Sequence, residues 1–261
     1  MNGLYQIPVI ILAVPFFILL VLFYWLGHKF KKFQTNKNPD INSSGLGPAE
    51  SSLLGLTALL LSFAFGISAS KFDTRRQIIV EESNDIGTTI LRCDLYPDSI
   101  RNAFRADLKD YLEERIQYYE VGDDQEKIKK AFDDGNNISA KCWHRAARLS
   151  HNLDNRVATA QMIPALNAMI DITTTREASR KALVPRLIMD ILPIMIIISA
   201  FLLGYGSKSE ERNWVVILAF SLMSTLTLYL VFELDRPRKG FINLDSSQKY
   251  ITELRSNFIE K

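Results

Sequence analysis

The sequence predicts an all-α membrane protein with four transmembrane helices and a helical cytoplasmic domain inserted between spans two and three. Of its 261 residues, 48% are hydrophobic and 23% are charged. The charges avoid four apolar runs of about 20 residues, the length at which a helix crosses the hydrocarbon core. In the long polar segment, apolar residues recur at helical spacing with few strand-like alternating runs. The four predicted spans are residues 4–27, 51–70, 187–207 and 213–232.

The first apolar run could be a secretory signal peptide, because it lies at the N-terminus. A signal peptide has a basic start, a short apolar core and a small-residue cleavage site. Residues 1–27 carry no charge, and the basic cluster HKFKK follows them at 28–32. We therefore favour a retained span.

The spans divide the chain into four parts. Residues 1–70 form a transmembrane hairpin, with a polar loop predicted at 34–48. Residues 71–186 form the helical domain, 187–232 a second transmembrane hairpin, and 233–261 a cytoplasmic C-terminal segment.

The orientation follows from the basic residues near the span ends. Four spans place both termini on the side of the long segment. That side has ten such residues and the opposite side six. The count predicts a cytoplasmic domain, although the lysine-rich loop after the first span argues for the reverse.

The pattern within the domain predicts several helices. One continues from the second span to about Leu95, where the sequence YPD stops it. A second ends near residue 121, and a third, short helix is broken by DDGN at 133–136. A long helical stretch from about Ile138 then leads into the third span, with a kink or interruption near Pro164. We expect continuous helices to join the domain to both neighbouring spans.

The helix leaving the second span carries two contrasting stripes. A helical wheel places a set of residues within about 40° of Phe63, bulky and apolar in the span and polar beyond it. The candidate pore-lining residues in this set are Leu59, Phe63, Ile67, Ser70, Thr74, Gln77 and Glu81, and the set also includes Leu56, Asp85 and Thr88. A second stripe lies nearly opposite and repeats every seven residues, as packing positions do. It consists of Phe65, Phe72, Ile79, Ile86 and Cys93.

Two interpretations fit these stripes. The helix can be an ordinary amphipathic helix, packed on one side and wet on the other. Alternatively, copies of it surround a shared pathway that is narrowest at Phe63, because an apolar ring excludes water and polar rings follow it. The small residues at 66 and 68–70 would permit close contact between helices in the membrane.

Three motifs, SKFDTRRQ at 70–77, EESNDIGTT at 81–89 and ELDRPRKGF at 233–241, resemble a bacterial family of bestrophin-like membrane proteins. The resemblance extends over about residues 53–241. It implies a pentameric, mostly anion-selective channel with cytosolic termini and a second span that lines the pore and carries an apolar neck. The partners it implies are inorganic ions, further copies of the chain, and the lipid of the bacterial inner (cytoplasmic) membrane.

The sequence departs from bestrophins in two respects. The acidic calcium-clasp sequence of the animal channels is missing, so calcium gating is not implied. Glu81 and Asp85 would repel anions if they face a pore. A non-conducting scaffold or sensor, whose helical domain binds a cytosolic partner, is the alternative function.

Other functions find little support in the sequence. A membrane enzyme is disfavoured because no nucleophile elbow or zincin motif occurs, and no cofactor is expected. A net charge of +2 without a basic stripe predicts no nucleic-acid partner. His144 and His151 lie seven residues apart, which is no metal-ligand spacing, and Cys93 and Cys142 are expected to be reduced packing residues.

Two charged features near the spans are expected to be structural. Asp190 lies four residues after Arg186, so an ion pair at the interface explains an acid in the third span. The charged residues of ELDRPRKGF are expected to pair with the base of the helical domain, with Pro237 ending the fourth span.

Overall fold

The computed structural model of the chain describes residues 9–37, 47–207, 214–236, 238 and 240–259. All regular structure in these ranges is helical, and four of the helices are long and apolar enough to cross a membrane. The expected all-α membrane protein with four candidate spans is confirmed. The helices are α1 (Val9–Lys37), α2 (Gly47–Arg92), α3 (Asp98–Glu120), α4 (Gln125–Leu149), α5 (Arg156–Lys181), α6 (Arg186–Gly206), α7 (Trp214–Asp235) and α8 (Asp245–Glu253).

The helix α2 continues without interruption from the second span to Arg92, and a short 3₁₀ turn at Cys93–Leu95 ends it. This agrees with the stop predicted near Leu95. The predicted polar loop at 34–48 is partly wrong, because α1 continues to Lys37 and α2 already begins at Gly47. The rest of that loop lies outside the described residues.

The break predicted at 133–136 is wrong, because α4 continues through it. Asp124 caps the start of α4 by accepting hydrogen bonds from the backbone N–H groups of Glu126 and Lys127. Within the polar tract only Gly135 is buried, and it belongs to a buried stripe that runs along the whole helix. The stripe decides the conformation, since burial of one face outweighs the weak helix propensity of Asp, Asn and Gly.

Of the kink or interruption expected near Pro164, the interruption is wrong. Helix α5 passes through Pro164, whose neighbours Met162 and Leu166 are fully buried and hold both sides of it in the core. The chain leaves the helical conformation instead at Ser150–Asn152 and at 182–185. The third span is therefore not continuous with the preceding helix: Pro185 precedes α6, and a proline disfavours helix at the residue before it.

The chain forms two compact units. The first, here called the membrane unit, comprises residues 1–71 and 183–242 and has a core that includes Leu20, Ala64 and Ile196. Within it α1 and α6 cross closely: a Cβ atom on Gly27 would overlap the backbone carbonyl of Phe201, and one on Gly204 would overlap that of Tyr24. Only glycine permits this approach of two helix backbones.

The second unit, here called the helical unit, comprises residues 72–182 and 243–261. Its core is built from the second half of α2 together with α3, α4, α5 and α8. The fully buried side chains there include Ile86, Phe104, Leu112, Met169 and Ile251.

Candidate pore-lining helix

The predicted pore-lining residues lie on one exposed face of α2. In a single copy of the chain, Leu59 is 50%, Phe63 59% and Ile67 38% exposed. The polar residues that continue the stripe are exposed as well: Ser70, Thr74, Gln77 and Glu81. Since α2 is one unbroken helix, the apolar and polar parts of the stripe follow each other along a single helix.

The opposite stripe is buried in its second half only. Ile79, Ile86 and Cys93 are at most 2% exposed and belong to the core of the helical unit, with Phe72 packed against them. Phe65, in contrast, remains 39% exposed. It lies in a groove of about 410 Å³ between α2 and α7, opposite Phe220 and Met223.

The small residues of the second span differ in their surroundings. A Cβ atom on Gly66 would meet nothing within 4 Å, so none of the described helices of the same copy packs closely against it there. Ser68 is fully buried. Nearer the N-terminus of α2, the hydroxyl oxygens of Thr57 and Ser199 lie 2.9 Å apart, which is a polar contact within the membrane unit.

A buried ion cluster adjoins the polar stripe, and it was not predicted from the sequence. Glu82 is completely buried, and its carboxylate accepts hydrogen bonds from Arg115, at 2.6 Å, and Arg176. A second guanidinium nitrogen of Arg176, Nη2, donates to the side-chain oxygen of Gln248 at 2.8 Å. Both guanidinium groups lie against the ring of Tyr118, 4.6 and 5.2 Å from its centroid. The signal in the sequence was a charged residue, Arg115, within the apolar stripe of α3.

The electrostatics of the cluster favour its charged state. Burial alone would raise the pKa of the Glu82 carboxyl, but the two guanidinium groups outweigh burial and hold that pKa below its usual range. Burial likewise tends to lower the pKa of Arg115, and the Glu82 carboxylate more than compensates, so that this pKa is raised. Glu82 therefore stays ionised inside the helical unit, compensated by two cations.

The exposed side of α2 carries charges of a different kind. Asp73 lies 3.8 Å from Arg76 and accepts a hydrogen bond from Gln77 at 3.1 Å. Burial and the neighbouring Glu81 and Glu82 raise the pKa of Asp85. Because Arg115 and Arg176 compensate Glu82, Glu81 and Asp85 remain as the acidic groups on the polar stripe.

The C-terminal segment packs within the helical unit, beside the polar half of α2. The Ser83 hydroxyl donates to the backbone carbonyl of Tyr250 at 3.0 Å, and a Cβ atom on Gly87 would lie 3.4 Å from Leu254. Arg255 binds Glu113 through two hydrogen bonds of 2.9 and 2.6 Å. These contacts attach the end of the chain to both α2 and α3.

The motif ELDRPRKGF forms a junction inside the membrane unit. Asp235 is fully buried, and its carboxylate accepts a hydrogen bond from the backbone N–H of Val184 at 3.0 Å. The Arg236 guanidinium lies 5.3 Å from the centroid of the Phe232 ring. The motif thus holds the segment before α6, while Pro237 and Lys239 lie outside the described residues.

The remaining candidates have structural environments. Cys93 and Cys142 are free and buried, and burial raises the pKa of Cys142 to about 12. In the described part of the chain, no group of histidine, cysteine or acidic residues could hold a metal ion. The Nε atom of Arg186 lies 3.6 Å from a carboxylate oxygen of Asp190, which is the ion pair predicted from the sequence.

Known proteins resemble the chain in sequence pattern and in fold. The model of a bestrophin-like domain matches residues 14–248. No curated protein matches. Two single-substitution variants of a bacterial bestrophin homologue from Klebsiella pneumoniae superpose with TM-scores of 0.73 and 0.74 at 15% identity, covering 95% and 96% of this chain and 99% and 98% of theirs. A further structure of that homologue superposes with a TM-score of 0.66 at 17% identity, covering 95% of this chain and 99% of its own.

At these identities the structural likeness concerns the fold. The family match concerns the sequence itself, and it extends from the first span into α8. The chain therefore belongs to the bestrophin-like family.

Proposed function

We propose that this protein is an oligomeric ion channel whose pore is lined by copies of α2. The observation that carries the proposal is the exposed face of this helix, which begins with the bulky residues Leu59 and Phe63 and ends with polar residues as far as Glu81. An apolar constriction followed by polar rings is how ion pathways that gate by dewetting are built. The bestrophin-like family and fold support the same function.

Phe63 is the proposed constriction, with Leu59 and Ile67 on either side. A ring of phenylalanines from several copies excludes water and so holds the pathway shut. Ser70, Thr74, Gln77 and Glu81 then offer hydroxyl, amide and carboxylate groups to a hydrated ion. By analogy with the family the ion is an anion and the assembly a pentamer, while the carboxylates of Glu81 and Asp85 oppose anion passage.

The proposed setting is the bacterial inner membrane. Residues 71–186 form a cytoplasmic domain inserted between spans two and three, and both termini lie on the same side. The basic residues near the span ends support this orientation.

A scaffold or sensor without conduction is the second candidate. Exposed apolar side chains on the helical unit favour it, because they offer a binding surface to a partner protein. These are Leu91 at 66%, Leu95 at 54%, Leu153 at 78% and Val157 at 81% exposure.

Replacing Phe63 with alanine separates the two functions. Removal of the ring widens and wets the constriction, so ion flux into liposomes should rise above that of the wild type, with assembly preserved on size-exclusion chromatography. The matched control is Ile18→Ala on α1, since Ile18 is 60% exposed and Phe63 59%. Unchanged flux of both anions and cations in a correctly assembled Phe63→Ala protein would leave the scaffold as the function.

Neutralising Glu81 tests which ions the polar stripe favours. If its carboxylate faces the pathway, Glu81→Gln in the Phe63→Ala background should raise the permeability of chloride relative to potassium. The reversal potential in a salt gradient measures this ratio. An identical reversal potential would remove Glu81 from the pathway and leave the constriction at Phe63 untouched.

A further inference from the structure

Helix α1 extends well beyond its apolar stretch. From Val9 to Gly27 the helix is apolar and, at 1.5 Å per residue, about 28 Å long, which matches a hydrocarbon core of about 30 Å. Residues 28–37, HKFKKFQTNK, continue the same helix for about 15 Å more. When the apolar stretch spans the core, this extension begins in the lipid headgroup layer, which is about 5–8 Å thick on each side of the core, and its end emerges from that layer.

The extension is held against the end of α6. The Lys31 ammonium donates to the backbone carbonyl of Ser207 at 2.6 Å, and the Tyr205 hydroxyl donates to the side-chain oxygen of Gln34 at 2.6 Å. The Phe30 ring lies 6.2 Å from the rings of both Phe201 and Tyr205. These contacts fix the helical conformation, so the other side chains of the extension are presented in a set arrangement.

Among the residues that the structure describes, three lysines of the extension have no carboxylate partner. Lys29, Lys32 and Lys37 are exposed, and the described residues include no ion pair for any of them. The ammonium groups of Lys29 and Lys37 instead lie over aromatic rings, 4.9 Å from the centroid of Trp25 and 4.5 Å from that of Phe33. Helix α1 itself contains no acidic residue that could compensate them.

Aromatic side chains accompany these lysines on the exposed surface. Phe30 is 47% and Phe33 56% exposed, beside charged groups and beyond the apolar stretch. In water this exposure would be unfavourable, whereas at a membrane surface the rings enter the headgroup and acyl boundary while lysine ammonium groups reach the phosphates.

We propose that residues 25–37 form a binding site for the headgroups of anionic phospholipids. Basic clusters immediately beside a membrane span attract anionic lipid, and each lysine near the surface contributes about a fivefold gain in lipid binding. A soluble acidic protein would fit this site less well, because it could contact the ammonium groups but not the two phenylalanine rings, which lie in the lipid. The proposal does not depend on ion conduction.

The test compares two triple variants of the full-length protein in detergent. Lys29→Gln/Lys32→Gln/Lys37→Gln removes three charges from the proposed site. Lys127→Gln/Lys129→Gln/Lys130→Gln removes three exposed charges from the helical unit. Native mass spectrometry then measures binding of phosphatidylglycerol and of phosphatidylcholine.

The site variant should bind phosphatidylglycerol roughly 100-fold more weakly, while the control should bind like the wild type. Raising the ionic strength to about 1 M should release phosphatidylglycerol from the wild type, since screening then acts within about 3 Å. Inorganic phosphate at the same concentration as the lipid should not compete, because it lacks the acyl chains that place it beside the rings.

Equal phosphatidylglycerol binding by the two triple variants would overturn the proposal, as would equal affinity of the wild type for the two lipids. Competition by inorganic phosphate would assign the site to a free anion and overturn the lipid assignment. If the site variant fails to assemble, the single variant Lys32→Gln takes its place, with a fivefold loss expected and no loss in Lys32→Arg. Unchanged binding in Lys32→Gln would equally count against the site.

Discussion

The carboxylate of Glu82 can be neutralised with almost no change in shape by Glu82→Gln. Arg115, which is 1% exposed, and Arg176, which is 6% exposed, would then keep their charges inside the helical unit without an anion between them. Glu81→Gln is the matched control, because it makes the same substitution one residue earlier, at an exposed position of the same helix.

The expected loss of stability is large. Breaking a buried ion pair by removing one partner costs about 3–5 kcal/mol, because the remaining charge is left without compensation. For a helical unit of this size, about 10–20 °C would be lost from the Tm. The control should change the free energy of unfolding by less than about 0.5 kcal/mol, the usual range for an exposed position.

The dependence on pH provides a second measurement. Since folding lowers the pKa of Glu82 below its unfolded value of 4.5, the carboxylate contributes its stability fully above about pH 4.5. That contribution is lost as the pH falls through the lowered folded value. The difference in Tm between wild type and Glu82→Gln should therefore be constant near neutral pH and shrink in acid.

Thermal unfolding of the detergent-solubilised protein, followed by circular dichroism and near-ultraviolet absorbance, measures both effects. Unfolding of Glu82→Gln within about 2 °C of Glu81→Gln at pH 7 would show that the two buried cations do not need the Glu82 carboxylate. A difference in Tm between wild type and Glu82→Gln that grows on acidification would contradict the lowered pKa of Glu82.

Two further predictions concern the membrane unit and the orientation. Gly27→Ala should destabilise the crossing of α1 and α6 by about 1–3 kcal/mol, because its Cβ atom would overlap the Phe201 carbonyl. Gly66→Ala should be tolerated, because its Cβ atom would lie in open space. Thermal unfolding distinguishes the two variants, and equal stability would contradict the close approach of α1 and α6. A cysteine at Asn36 should react with an impermeant reagent from outside the cell, and one at Lys249 should not. Cys93 and Cys142 are buried and should not react. The opposite labelling pattern would reverse the proposed orientation.

The sequence was sufficient for those features that depend on composition and local pattern. Four apolar runs, charged only at Asp190 in the third, predicted the candidate spans, and the unbroken periodicity across Ser70 and Lys71 predicted the continuous helix α2. In both cases the signal lies within a few helical turns, so no knowledge of the neighbouring elements is needed.

The errors arose where tertiary packing overrides local preference. DDGN at 133–136 has every mark of a helix end, yet Gly135 lies on the buried stripe that keeps α4 continuous. Pro164 is likewise held within α5 by buried neighbours on both sides. Glu82 resembled its exposed neighbour Glu81, and only the position of Arg115 and Arg176 in space distinguishes the two.

The interruption between α5 and α6 has a consequence for the synthesis of the protein. The Arg75 guanidinium, 5% exposed, donates to the backbone carbonyls of Ser179 at 3.2 Å and Ala182 at 3.0 Å, at the end of α5. Arg75 leaves the ribosome 104 residues before Ser179, so the donor for this helix end is already present when the acceptors emerge. A nascent chain that stalls before residue 179 lacks both acceptors of the Arg75 guanidinium. Its helical unit would be incompletely folded there and accessible to quality-control proteases.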